Sequence, residues 1–571
     1  MRKILRGIAA SPGIGVGRVM VYRTEKLDGF KREIQDRQAE LERLHFAVES
    51  YCQRLQERAD RLSPRAGEDQ AEILLVQIEI ARDPYLTGQV EGRIAAFQSA
   101  EYALDSVMNQ WAFNFLGSDN EVIRLRAADV QDVRDGLLRV LMGLPEADLS
   151  NLTPGTVLVA GELPPSAISA LDPDAVAGIL LSKGGRASHV AILARALGIP
   201  TVVGASNAVA WARNGEWAVV DGTEGEGYLS PSENELEEWR IRQERAARDR
   251  EAIEEFKGRP TVNGNGTPLR LQVSISSESE CMVAQEMGCD GIGLLRTEYL
   301  YLDRPALPEE EEQFETYRRL ARLMNGRPVT IRTLDVGSDK RLPGLSWEQE
   351  TNPALGSRGI RLSRRQQELF RTQLRAILRA GAFGNVRVLV PMISGVEDLR
   401  WVREQIRECQ NFLRAKQEEF LEELPVGALI ETPAAVFTAD LIAREADFVS
   451  VGTNDLTQYT MAVDRDDARL GYLYSFYNPA MLRAIRRTID CARAAGKAVS
   501  MCGQAAADPL LLPLLMAFGL EEFSVQPSIL LATRRRISLW TQAEANVLAG
   551  KALALTTEEE VRRLLESAQR M

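Results

Sequence analysis

Histidine is almost missing from this chain: its 571 residues carry two, His45 and His189. A histidine-rich metal centre is therefore excluded, and any chemistry that needs an imidazole must use one of these two. A metal site would have to rely on carboxylates, which suit hard ions such as Mg²⁺. Cysteine is thin as well. Cys52, Cys281, Cys289, Cys409, Cys491 and Cys502 are scattered, and none forms a C-x-x-C pair. That dilution excludes a disulfide framework and fits a reducing compartment, so the expectation is a cytoplasmic protein. No apolar run reaches the ~20 residues of a membrane span. The start, MRKILRGIAASPGIGVG, lacks the sustained apolar centre of a secretion signal and reads as a first strand. No direct membrane insertion is expected. Positive charge is also in deficit, with a net charge of −12. This argues against a nucleic-acid partner and leaves a basic protein partner open. What the chain does have is an apolar content of 45%, ordinary for a globular protein with real cores, and length for several domains.

Four zones follow one another. Residues 1–22 read as a strand or two with turns at Gly13, Gly15 and Gly17. Residues 24–145 read as helices, with apolar residues at helical spacing such as Leu41, Leu44, Val48 and Tyr51. Residues 147–230 return to short strands: TVLVA, AVAGILLS, TVVG and WAVVDG. The two strand-rich pieces around a helical block predict one α/β domain with a helical insertion. Residues 232–258 are a highly charged helical run that opens with a Ser232/Glu235 capping box and read as a solvated linker helix. From 261 to 571, eight strand-like runs alternate with helical segments: LRLQVSI, CDGIGLL, PVTIRTLD, VRVLVPMI, VGALIET, DFVSVGT, AVSMCG and EEFSVQ. Eight βα units in about 300 residues predict a TIM barrel. The fold class is thus α/β, a (β/α)8 barrel preceded by a smaller α/β domain with an inserted helical bundle.

Such barrels carry their chemistry at the C-terminal ends of the strands. Arg296 follows the second strand, and Arg332 and Asp335 lie on the third with Lys340 beyond. Glu431 ends the fifth, Asn454 and Asp455 end the sixth with Arg465 after them, and Cys502 ends the seventh. Charges in otherwise apolar strands cost free energy unless paired or used. They form either a structural ion network at the barrel mouth or a site. As a site, Glu431 and Asp455 would hold one Mg²⁺. Arg296, Arg332, Lys340 and Arg465 supply excess positive charge and match phosphate or carboxylate oxygens. The implied ligand is small and polyanionic. Cys502 is either a buried structural thiol or a proton donor or acceptor at that mouth.

The second candidate is GGRASHVAILAR, residues 184–195. The Gly184–Gly185 turn and the helix start after it place backbone N–H groups where an anion can be received, and the imidazole of His189 can act as a nucleophile. His45, inside the helical block, reads as a residue on a helix face. The acidic segment 67–83, with Glu68, Asp69, Glu72, Glu79 and Asp83, is either a solvated helix face or a surface that attracts a basic partner.

Over its whole length the chain resembles enzyme I of the bacterial phosphoenolpyruvate-dependent sugar phosphotransferase system. The segments DFVSVGTNDLTQYTMAVDR (447–465) and GIGLLRTEYLYLDRPALPEEEEQF (291–314) carry this, with GGRASHVAILAR. The resemblance implies that phosphoenolpyruvate and Mg²⁺ bind at the barrel and that a swivelling domain brings in His189, whose Nε2 attacks phosphorus. Glu431 and Asp455 match the metal ligands. Arg296, Arg332, Asn454 and Arg465 match substrate-binding residues, Arg358 matches a segment near the site, and Cys502 matches the proton donor to the enolate. It implies further a histidine-phosphorylated carrier of the HPr type docking on the helical insertion, and a homodimer formed through the barrel. Three positions depart from the family pattern: Val190 after the nucleophile, Ile168 in ELPPSAIS with Ser166 and Ser169 nearby, and Gln504 after the Cys-Gly pair. They leave open a regulatory or nitrogen-related paralogue with another carrier. A pyruvate phosphate dikinase relative would need a nucleotide-binding domain for which the chain has no room.

Overall fold

The computed structural model describes residues 3–570 except 23–26, 67, 118–120, 145–148, 150–151, 164–166, 169–170, 186–187, 303, 305, 339–341, 343–349, 466 and 468. For 63–66, 68–70, 73, 121–125 and 189 it describes the backbone alone. The chain forms two compact units, residues 1–250 and 251–571.

The first unit is built on an eight-stranded sheet. Its strands are β1 (Lys3–Arg6), β2 (Ile8–Ser11), β3 (Ile14–Tyr22), β4 (Thr156–Ala160), β5 (Val176–Leu181), β6 (Thr201–Val203), β7 (Trp217–Asp221) and β8 (Glu226–Leu229). The spatial order is β1-β8-β7-β3-β4-β5-β6-β2. The N-terminal piece thus supplies three strands rather than one or two. A single residue, Gly7, joins β1 at one edge to β2 at the other, and its N–H bonds to the carbonyl of Gly225 at 2.9 Å. A Cβ at Gly7 would lie 2.5 Å from the Val203 carbonyl oxygen, so the bend requires glycine.

Alternation along β4 shows how the layers form. Val157 and Val159 point into one apolar cluster, whereas Leu158 and Ala160 point into another shared with the helical insertion. That insertion consists of the helices Arg37–Ala66, Glu68–Ala81, Pro84–Ala95, Ala100–Leu116 and Glu121–Met142. Leu44, Tyr51 and Leu55, at helical spacing on the first of them, are buried in the shared cluster. The helix Glu233–Glu254 begins with the expected box: the Ser232 N–H donates to Glu235 Oε2 at 2.9 Å, and the Glu235 N–H to Ser232 Oγ at 3.4 Å.

The second unit is a closed barrel of eight parallel strands. They are β9 (Arg270–Ile275), β10 (Ile292–Leu295), β11 (Val329–Arg332), β12 (Val386–Val390), β13 (Val426–Ile430), β14 (Phe448–Gly452), β15 (Ala498–Cys502) and β16 (Glu522–Val525). Each lies within one of the eight predicted runs. β10, β13, β14 and β16 are buried along their whole length, because side chains facing the helices and side chains filling the barrel are both covered. Among the described residues, no helix is long and apolar enough to cross a membrane.

Candidate active site

The C-terminal ends of the barrel strands surround a cavity of about 590 Å³. Arg296, Arg332, Arg358, Glu431, Asn454, Asp455, Arg465 and Cys502 all line it. Arg296 directly follows β10, Arg332 ends β11, Glu431 follows β13 and Cys502 ends β15. Asn454 and Asp455 sit in the first turn of the helix Thr453–Met461 rather than on a strand. Arg358 comes from the connection after β11. Lys340 lies outside the described residues.

The arginines differ in how far they are committed. Arg332 Nη2 donates to Glu298 Oε1 at 2.9 Å, and its Nη1 is 3.2 Å from Asp335 Oδ2. Arg358 grips the same Asp335 with two bonds, of 2.8 and 3.1 Å, and reaches Asp455 Oδ1 at 3.1 Å. Arg465 is looser, 3.7 Å from Asp455 Oδ1. Arg296 has no acidic partner among the described residues. Four carboxyl groups, those of Glu298, Asp335, Glu431 and Asp455, share the described lining with the four arginines. The sequence reading left Glu298 and the double engagement of Asp335 out of the site. Glu298 lies in the quoted run GIGLLRTEYL, and its role arises from a contact between residues 34 apart in the chain.

Burial and charge set the protonation of these groups. Burial drives Asp335 up, but Arg332 and Arg358 outweigh it and hold the carboxyl below its ordinary range. Burial disfavours charged Arg332, yet Glu298 and Asp335 hold it well above the usual guanidinium value. Glu431 goes the other way. Burial first, then the neighbouring Asp455 and Asp335, push its carboxyl well above the usual range. It is 1% exposed, its Oε1 accepts one backbone N–H, from Met392 at 2.6 Å, and no cation pairs with it among the described residues. A buried, under-compensated carboxylate beside a second one is chemically suited to a hard cation. No group of three or more His, Cys, Asp or Glu among the described residues forms a metal cage. An ion here would complete its shell with water and ligand oxygens, as Mg²⁺ does.

Cys502 is 3% exposed. Ser450 Oγ donates to its Sγ at 3.7 Å, and burial pushes the thiol up to about 11. It is a protonated thiol at neutral pH. The main-chain N–H of Gln504 donates to Asn454 Oδ1 at 3.1 Å, and Tyr474 donates to the Asn454 carbonyl at 3.0 Å. The strand-end and helix-end segments are thereby stitched together around the cavity.

In the first unit, His189 is the first residue of the helix His189–Ala196. Ser188 caps it, its Oγ accepting from the Ala191 N–H at 3.3 Å and donating to the Gly185 carbonyl at 2.9 Å. Gly184 takes φ +107°, a conformation that favours glycine and turns the chain into the cap. Ile168 and Val190 are both buried in the apolar cluster behind this helix, so two of the departing positions serve packing. Ser166 and Ser169 lie outside the described residues. His45, on the face of its helix, pairs with Glu91 at 2.8 Å and is largely exposed. In the acidic segment, Glu72 and Glu79 are exposed, but Asp83 is spent on capping the helix Pro84–Ala95 through the Leu86 N–H at 2.8 Å. The side chains of Glu68 and Asp69 lie outside the description.

Three family models match the chain. They are PEP-utilising enzyme, N-terminal, over residues 6–126; PEP-utilising enzyme, mobile domain, over 152–225; and PEP-utilising enzyme, PEP-binding domain, over 250–541. A protein of Geobacillus stearothermophilus named phosphoenolpyruvate-protein phosphotransferase is 39% identical over 560 residues, 98% of this chain and 97% of the relative. One of the same name from Bacillus subtilis (strain 168) is 36% identical over 558 residues, 98% of either chain. A solution structure of an Enzyme I protein (nEIt) is 31% identical, covering 43% of this chain and 99% of its own, with a TM-score of 0.38.

Proposed function

The chain belongs to the phosphoenolpyruvate-protein phosphotransferases, enzymes of the PEP-utilising family, and from that ground we propose which residues carry the transfer. The enzyme binds phosphoenolpyruvate and passes its phosphoryl group on. The observation that carries the assignment of the substrate to the barrel mouth is a cavity uniting four guanidinium groups with two carboxylates suited to a cation.

In this reading, Arg296, free of acidic partners among the described residues, and the loosely held Arg465 take the phosphate and carboxylate oxygens. Asn454 contributes an amide, while Arg332 and Arg358 form a fixed positive wall, with Lys340 as a further cation. Glu431 and Asp455 hold Mg²⁺, which when bound neutralises charge on the phosphate and enolate oxygens. His189 Nε2 attacks phosphorus, the N–P bond forms, and the P–O bond to the enol oxygen breaks. The Cys502 thiol gives its proton to C3 of the enolate, yielding pyruvate, and the thiolate is reprotonated from solvent. Phosphohistidine then passes its group to a histidine of an HPr-type carrier, which leads into sugar uptake.

We assign residues 1–22 with 147–230 to the phosphohistidine domain and 24–145 to carrier docking. Residues 232–258 are the linker, and 261–571 the substrate-binding and dimerising barrel. The chain works in the cytoplasm. The test is labelling: phosphoenolpyruvate with Mg²⁺ should leave acid-labile, base-stable phosphate on the protein, and His189→Ala should abolish it. If His189→Ala labels as well as the parent, the assignment is wrong.

A further inference from the structure

Phosphoenolpyruvate has one apolar end, the C3 methylene, and the cavity has one apolar wall. Among its described lining residues, only Leu294 and Leu429 have purely hydrocarbon side chains. Both are nearly fully buried, and both belong to a small cluster inside the barrel with Leu389, Phe448 and Cys502. Register brings Leu429 to the thiol. Leu429 of β13 is opposite Ser450 of β14, and Ser450 donates to Cys502 Sγ. Two residues on, Gly452 is the register partner of Cys502 in β15. A Cβ at Gly452 would lie 3.2 Å from Leu429 Cδ1 and 2.7 Å from Glu431 Oε2, so the leucine tip reaches the strand end where the thiol sits.

We propose that Leu294 and Leu429 are the specificity-determining residues of this enzyme for the unsubstituted methylene, forming with Cys502 the wall against which C3 lies. This rests on the reading that Cys502 protonates C3 in this cavity. The proton can reach C3 only if that carbon is against the sulfur, and a carbon there is also against the leucines. Charged groups elsewhere in the lining fix the other end of the molecule, so a group added at C3 has no direction of retreat. One extra methyl group in a hydrophobic pocket typically changes selectivity by about 10–200-fold.

The experiment compares phosphoenolpyruvate with its Z and E 3-methyl analogues in the full chain with Mg²⁺. It reads the single-turnover rate of pyruvate or 2-oxobutyrate release per unit substrate concentration in the parent, Leu294→Ala and Leu429→Ala, the phosphoryl group staying on the protein. The ratio of phosphoenolpyruvate to each analogue within each protein, compared across proteins, cancels the intrinsic effect of the methyl group. The parent should disfavour at least one isomer about tenfold or more, and the alanine variants should cut that preference about tenfold. Should Leu429→Ala fail to fold, Leu429→Val removes one methylene and joins Leu294→Ala in the same comparison. Variants that still label with phosphoenolpyruvate but keep the parent's ratio overturn the inference. A parent chain that phosphoenolpyruvate does not label sinks the reading beneath it instead.

Discussion

The surroundings of Cys502 keep it an acid, as the role proposed for it requires. Its burial raises the thiol from 9.0 to about 11, so the proton-donating form persists through the range where an ordinary thiol ionises. The sign follows directly: activity that needs the protonated thiol is retained below the raised value and lost only as pH climbs through it. Pyruvate formation under single-turnover conditions should stay level past pH 9 and fall towards pH 11. A break near pH 9 would show a solvated sulfur. Cys502→Ala should keep the protein foldable while slowing pyruvate release, which a lactate dehydrogenase-coupled assay reads. At this scale the sequence was informative about which residue types gather, since charges at strand ends are visible one by one. It was silent about their pairing. Arg332 was read as a source of spare positive charge, yet Glu298 and Asp335 hold it, because a carboxylate's partner is decided by side-chain reach between distant loops.

Among the elements, the barrel strands were legible because a strand covered on both faces reads as a continuous apolar run bounded by polar turns. The first unit was harder. β1 and β2 are four residues each and share one glycine, too short for a periodic signal to separate them. At the end of β15, Gly503 has φ +100°, and a Cβ there would lie 2.6 Å from Thr453 Oγ1 and 3.0 Å from Asn454 Oδ1. Thr453 Oγ1 in turn donates to the Cys502 carbonyl at 3.3 Å. Gly503→Ala should therefore strain the backbone and displace Asn454 together. Destabilisation of about 1–3 kcal/mol in urea unfolding is expected, with a raised KM for phosphoenolpyruvate. Unchanged stability and KM would mean that the two strand ends shift independently.

For the whole molecule, the division of labour between units is itself testable. Every described residue lining the cavity falls in residues 251–571, whereas His189 falls in 1–250. The barrel half produced alone should bind phosphoenolpyruvate, read by calorimetry with Mg²⁺, yet release no pyruvate until the other half is supplied. Pyruvate released by the barrel half alone would place the nucleophile elsewhere. Gly7 bears on the fate of the half that carries His189. A sheet with two free margins invites a neighbouring chain to add its own strand. Here the outermost strands are a single bent ribbon of eight residues about one glycine, so each margin offers only a few unpaired backbone groups. A side chain at Gly7 would meet the Val203 carbonyl oxygen and push β2 off β6, baring that strand's backbone groups, and the result to expect is aggregation of the half that contains His189, read by light scattering, rather than a slower enzyme.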